Sequence, residues 1–155
     1  MAEGQRAGRR TGRVRETDAE SKKRRPAVRG SRTADLHAFP FAHVLGSDGT
    51  VELNRLTTEL RISKQELAAA TGLSRDAVSK TARRNAPATQ GRLRDMLEII
   101  GRVLPWAGSV PHAFAWYRAQ PLPSFGDQTA EDLVKAGRAE AVKAYLSRIA
   151  VGGFA

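Results

Sequence analysis

Between Gly72 and Asn85 the chain concentrates side chains able to hold a polyanion: Ser74, Arg75, Asp76, Ser79, Lys80, Arg83 and Arg84. An arginine presents two parallel donors that match guanine O6 and N7, while serine and lysine serve bases or phosphates. Arg84, with Arg92 a little farther along, suits phosphate contacts by position. Asp76 is a poor phosphate neighbour and suits a hold on Arg75 or Lys80. Groups for catalysis are scattered by contrast. His37, His43 and His112 have no paired His, Cys or carboxylate at ligand spacing, so no metal is expected. The absence of cysteine removes disulfides, thiolate zinc sites and thiol nucleophiles together, and suits a reducing cytoplasm. No phosphate-cradling glycine loop and no serine elbow is present. Glu131 and Asp132 fall at a helix start, where carboxylates favour the dipole, and that is preferred to an acid–base pair. The expectation is a non-enzyme with no cofactor.

The elements that must position these groups are helical. Leu53, Leu56 and Leu60 recur on one helical face from about Val51. Ser63-Lys64-Gln65-Glu66 is a capping box that opens a second helix through Ala70, and Gly72 ends it. Ser74 caps a third helix, roughly Arg75 to Arg84. Gln90 to Leu104 carries Leu93, Met96, Leu97, Ile100, Val103 and Leu104, with Pro105 as its stop. A shorter helix follows Ser109 and bears Phe114, Trp116 and Tyr117, with Trp116 as a core anchor. Pro121 to Gly126 reads as irregular. Thr129 caps a short helix ending at Gly137, and the last helix, Ala139 to Ile149, sets Val142, Leu146 and Ile149 toward the core. Phe39 and Phe41, flanking Pro40 ahead of a turn at Ser47-Asp48-Gly49, are expected to pack loosely. No strand is predicted, so the fold class is all-α.

Leu67, Ala68, Gly72, Leu73 and Val78 have the spacing of a helix-turn-helix: an apolar and a small residue, a glycine turn, then two apolar closures. This stretch resembles the Xre/Cro-type helix-turn-helix, which makes Ser74 to Arg84 the recognition helix. Thr71 and Thr81 stand where bulkier apolar residues are commoner, so the unit is expected to lean on the rest of the chain. A plain helical hairpin with a solvated basic face is the simpler alternative. Residues 1–34 add charge, with 11 Lys+Arg against 4 Asp+Glu, so +7 of the chain's +10 resides there. Low apolar content reads this stretch as a disordered basic tail, suited to nucleic acid or to no function at all.

Farther along stand Trp116, the Pro121–Gly126 loop, Thr129, Leu133, Gly137, Val142, Leu146 and the ending Gly152-Gly153-Phe154-Ala155. In order and spacing, this resembles the toxin-binding domain of Xre/MbcA/ParS-type antitoxins, over about residues 50–155 with the helix-turn-helix included. Leu122, Asp127 and Ala130 depart from the family's asparagine, glycine and proline. The resemblance implies a helix-turn-helix region over 35–104 and a toxin-binding domain over 105–155. The implied partners are an NAD-consuming RES-domain toxin, operator DNA and a second copy of the chain. It further implies that Arg148, Ile149, Gly152, Gly153, Phe154 and Ala155 meet the toxin, with the tail entering its cleft. Glycines enter without side-chain clash, and Phe154 suits a buried anchor. The alternatives are a stand-alone helix-turn-helix regulator, or an adaptor whose motif has lost DNA. No membrane span or secretory signal is predicted, in keeping with a cytoplasmic protein.

Overall fold

The computed structural model describes residues 39–152. The basic stretch 1–34, His37 and the terminal Gly153, Phe154 and Ala155 lie outside the described residues. Eight α-helices follow in order among them: α1 (Leu53–Leu60), α2 (Lys64–Thr71), α3 (Arg75–Ser79), α4 (Thr81–Arg84), α5 (Pro87–Ala107), α6 (Val110–Ala119), α7 (Ala130–Lys135) and α8 (Ala139–Gly152). There is no strand among the described residues, only isolated bridges at Leu45–Val51 and Leu122–Gln128. The all-α class holds. No helix there is long and apolar enough to cross a membrane.

Helix α5 is the spine. Its apolar positions Leu93, Met96, Leu97, Ile99, Ile100 and Val103 are fully or almost fully buried, and α6, α7 and α8 all pack on it. Pro87 at its first turn carries no N–H where none is needed. Pro105 does not stop it, contrary to expectation: the helix continues to Ala107 and ends at Gly108, φ 80°. The proline forfeits one backbone bond in the last turn, a loss the packed helix carries. One apolar cluster runs from Phe41 and Val44 through Leu56, Leu67 and the α5 face to Leu133, Val142 and Leu146.

Local chemistry sets most boundaries. The Ser63–Glu66 capping box is complete, with the Ser63 N–H donating to Glu66 at 2.7 Å and the Glu66 N–H to Ser63 Oγ at 3.1 Å. Thr129 and Asp132 form a second one that opens α7. Hydrogen bonds from Thr129 hold the Asp132 carboxyl below its ordinary value. Several expectations need correction. The third helix breaks at Lys80, whose ψ of 125° is extended. Ser79 Oγ donates to the Arg75 carbonyl at 2.8 Å, a back-bond that bends helices, and Thr81 lies exposed where an apolar residue would pull the turn inward. Phe41 packs tightly: it is fully buried, edge-on to Phe39 with centroids 5.8 Å apart. Pro123–Phe125 forms a turn of 3-10 helix. The last helix extends past Ile149, itself half-buried, to Gly152. Tyr117, at 0% exposure, is the aromatic anchor, whereas Trp116 is half-buried.

Polar groups inside are paired. Lys143, on α8, meets Asp95 at 2.8 Å, Glu98 at 2.9 Å and Glu140 at 2.7 Å. This network fastens α8 to α5. Desolvation pushes the Glu98 carboxyl up, but hydrogen bonds from Lys143 and Arg102 outweigh it and leave the group below its ordinary value.

Two measurements test this packing. Glu98 contributes stability that is whole above its ordinary value of 4.5 and is lost as pH falls through the depressed one. Glu98→Gln is therefore expected to lower stability at pH 7 and to flatten its decline below pH 4.5, read from urea midpoints across pH. Tyr117→Phe, which removes the buried hydroxyl, is expected to cost about 1–2 kcal/mol in urea unfolding. Tyr145→Phe, at a half-buried position, should change stability by less than about 0.5 kcal/mol.

Candidate nucleic-acid interface

A helix as short as α2 leaves its last carbonyls without partners inside the helix. Three of the neighbouring elements meet this end. Tyr117 on α6 donates its hydroxyl to the Ala70 carbonyl at 2.8 Å. Burial pushes that hydroxyl well above its ordinary value, so it remains a donor. Arg92 on α5 donates to the Thr71 carbonyl at 3.2 Å and to the Val134 carbonyl, at the end of α7, at 2.6 Å. One guanidinium thus serves two helix C-termini, where positive charge is favoured. Arg92, placed by its position as a phosphate contact, is thus engaged as a brace between two helix ends. Helix α7 itself closes on Gly72. A Cβ there would stand 3.0 Å from Lys135 Cγ and 3.4 Å from Lys135 Cα, and the residue's φ is 68°. Glycine is required at this turn on both counts.

Within the turn Leu67 and Ala68 are buried, as are Ala77 and Val78 beyond it, and Leu73 is partly buried against the same cluster. Thr71 is buried as well. Its hydroxyl donates to the Leu67 carbonyl at 2.7 Å, so the polar atom is satisfied where an apolar residue was the commoner choice. Ser74 caps α3, its Oγ accepting from the Ala77 N–H at 3.1 Å.

The polar residues anticipated from the sequence fall on one short surface segment. Arg75, Ser79, Lys80 and Arg83 are exposed, Asp76 and Arg84 half-exposed. Arg75 makes no side-chain ion pair or hydrogen bond among the described residues. Asp76 holds Lys80 at 2.9 Å and stands 3.7 Å from Arg83; of the two partners considered for it, Lys80 is the one present. Arg84 donates to Thr81 Oγ1 at 2.8 Å. The buried amide of Gln90 fixes α4 from behind, donating to the Arg84 carbonyl at 2.9 Å while accepting from the Val51 N–H at 2.7 Å. Ser74 and Ser79 therefore spend their hydroxyls on backbone, and the arginines and Lys80 form the available cationic face. Gln90 and Tyr117 hold this segment from behind, a role that residue type alone did not mark.

The second group of site residues lies at the far end of α8. Arg148 and Gly152 are exposed, and Val151, between them, is 91% exposed. Gly152 is the last residue of the helix. Glu131, mostly buried, pairs with Arg118 at 3.0 Å and with Lys135, a structural role for that carboxylate. Among the described residues no three His, Cys, Asp or Glu side chains are grouped to hold a metal ion.

Removal of the Arg92 side chain is expected to unpair carbonyls at two helix ends. Arg92→Ala should cost about 1.5–3 kcal/mol in denaturant unfolding. The same truncation at Arg84, whose side-chain hydrogen bond among the described residues is to Thr81, should change stability by less than about 0.5 kcal/mol. No protein-family model matches the chain, and neither a curated protein nor a solved structure does.

Proposed function

We propose that the chain is the antitoxin of a toxin–antitoxin pair, in which α2 and α3 act as a helix-turn-helix on operator DNA and the end of α8 blocks the toxin. The observation that carries the DNA half is the cationic face of α3 and α4, set beside a glycine turn that Tyr117, Arg92 and Lys135 hold from behind. Arg75 projects from the first turn of α3, where a recognition helix addresses base edges. Lys80, Arg83 and Arg84 supply phosphate charge. Because α3 spans five residues before its break, base reading falls mainly to Arg75. A homodimer would set two such faces about one DNA turn apart.

The toxin half rests on the resemblance described above and on the last turn of α8. Arg148, Val151 and Gly152 stand clear of the core, so this end can engage a partner without unpacking the helix. Gly153, Phe154 and Ala155 follow it in the sequence. Asp127, at a position where the resembled family carries glycine, has a left-handed φ of 61°, a conformation aspartate tolerates. A RES-domain toxin that consumes NAD is the partner the resemblance names.

Co-expression with the reading frame adjacent to its gene tests the proposal. Recovery of a stable complex, with growth rescued, is the supporting result. A chain ending at Val151 should lose rescue while still shifting promoter DNA. Rescue without Gly152 to Ala155 would remove the tail from the mechanism. Promoter binding with no toxin partner would leave a stand-alone regulator. Arg75→Ala is expected to weaken operator binding by about 1–3 kcal/mol and to relax base preference. Unchanged affinity would place Arg75 outside the groove.

A further inference from the structure

Asp76 is the one carboxylate on the α3–α4 segment, and it does not face away from the cations. It reaches Lys80 at 2.9 Å within its own turn, and stands 3.7 Å from Arg83 across the break in the chain. Behind it the Lys80 N–H donates to the Asp76 carbonyl at 3.0 Å, so backbone and side chain of one residue both bind the segment that begins α4. All three side chains remain open to water.

We infer that Asp76 is a specificity-determining residue of the proposed DNA site: a clip that occupies Lys80 and Arg83 in the free protein and so suppresses their use on arbitrary phosphates. The inference rests on the DNA-binding reading above and adds an internal competitor to it. Any DNA backbone that recruits Lys80 and Arg83 must displace their carboxylate or accept it as a neighbour, and like charges there oppose binding. Random DNA offers nothing in return. A cognate site can offer a cytosine N4 or adenine N6 amino group, to which a carboxylate is an acceptor. The clip therefore penalises non-specific binding more than specific binding. Its position across the break also holds Arg83 beside α3 before DNA arrives, which makes Asp76 a positioning residue for that cation.

The test is Asp76→Asn in the full chain, titrated against its own promoter fragment and against a random duplex of equal length over a range of salt. The wild-type chain supplies the reference. Random-duplex affinity is expected to rise about three- to tenfold. Its log affinity against log salt should steepen by about 1–2, as Lys80 and Arg83 each become able to displace a counterion. Promoter affinity should change less, so that the ratio between the two falls. In a Lys80→Ala, Arg83→Ala background the same Asp76 substitution should lose the steepening of the salt slope and most of the gain, leaving only the small relief of direct repulsion between carboxylate and phosphate, an outcome that a general loss of structure would not produce. Far-UV circular dichroism of every variant guards against unfolding. Unchanged or weakened random-duplex binding by Asp76→Asn, with wild-type promoter binding intact, would overturn this inference alone. A wild-type chain that binds neither duplex would overturn the DNA-binding reading and this inference with it.

Discussion

The last carbonyls of α2 draw together donors from distant parts of the chain. An eight-residue helix closes few of its own hydrogen bonds, and its C-terminal oxygens would be costly to bury bare. Here they are met by the Tyr117 hydroxyl and the Arg92 guanidinium, and Arg92 reaches the end of α7 with the same nitrogen. The packing of α5 and α6 on the core brings these donors to the end of α2, and α7 packs against α2 and α6. Lys135 then lies so close to the turn that a side chain at Gly72 would have to displace it, in a left-handed conformation that is itself strained. The exposed cations of α3 and α4 owe their position to donors that come from the opposite side of the core.

Charge in this protein is divided between two kinds of work. Around Lys143 and Glu131 it is enclosed and paired, and it fastens one helix to another. Along α3 and α4 it stays open to water, where an ion pair adds little to stability and can be exchanged for another partner. Arginines fall on both sides of this division. Arg92 and Arg102 serve the framework, and Arg75 and Arg83 the surface.

What was legible in the sequence was local. Ser63 with Glu66, Gly72, Ser74, Ser109 and Thr129 announce their own turns, because a cap and its target lie within three or four residues. The periodic faces of α1, α5 and α8 were equally readable. The rest depended on distance. Arg92 finds its carbonyls 21 and 42 residues away, and Tyr117 finds Ala70 across 47. A carbonyl oxygen has no residue type, so nothing in the pattern marks it as a partner. That is why Arg92 resembled a phosphate contact, and why Trp116 stood out ahead of its smaller neighbour. The break at Lys80 escaped for another reason. Ser79 is compatible with a helix until its hydroxyl turns back on Arg75, and a missing apolar pull at Thr81 decides the outcome.

The shared core has a consequence for the lifetime of the protein in a cell. Phe41, Leu67, Ile100, Leu133 and Leu146 belong to a single apolar cluster, so neither end of the chain retains a closed interior by itself. A cut in the loop between α6 and α7 would strip α2 and α5 of the Lys135 and Val134 contacts and bare the face on which α8 lies. Both fragments would then be open to further digestion. Loss of packing at one end is therefore felt at the other, and the surfaces at the two ends share one stability.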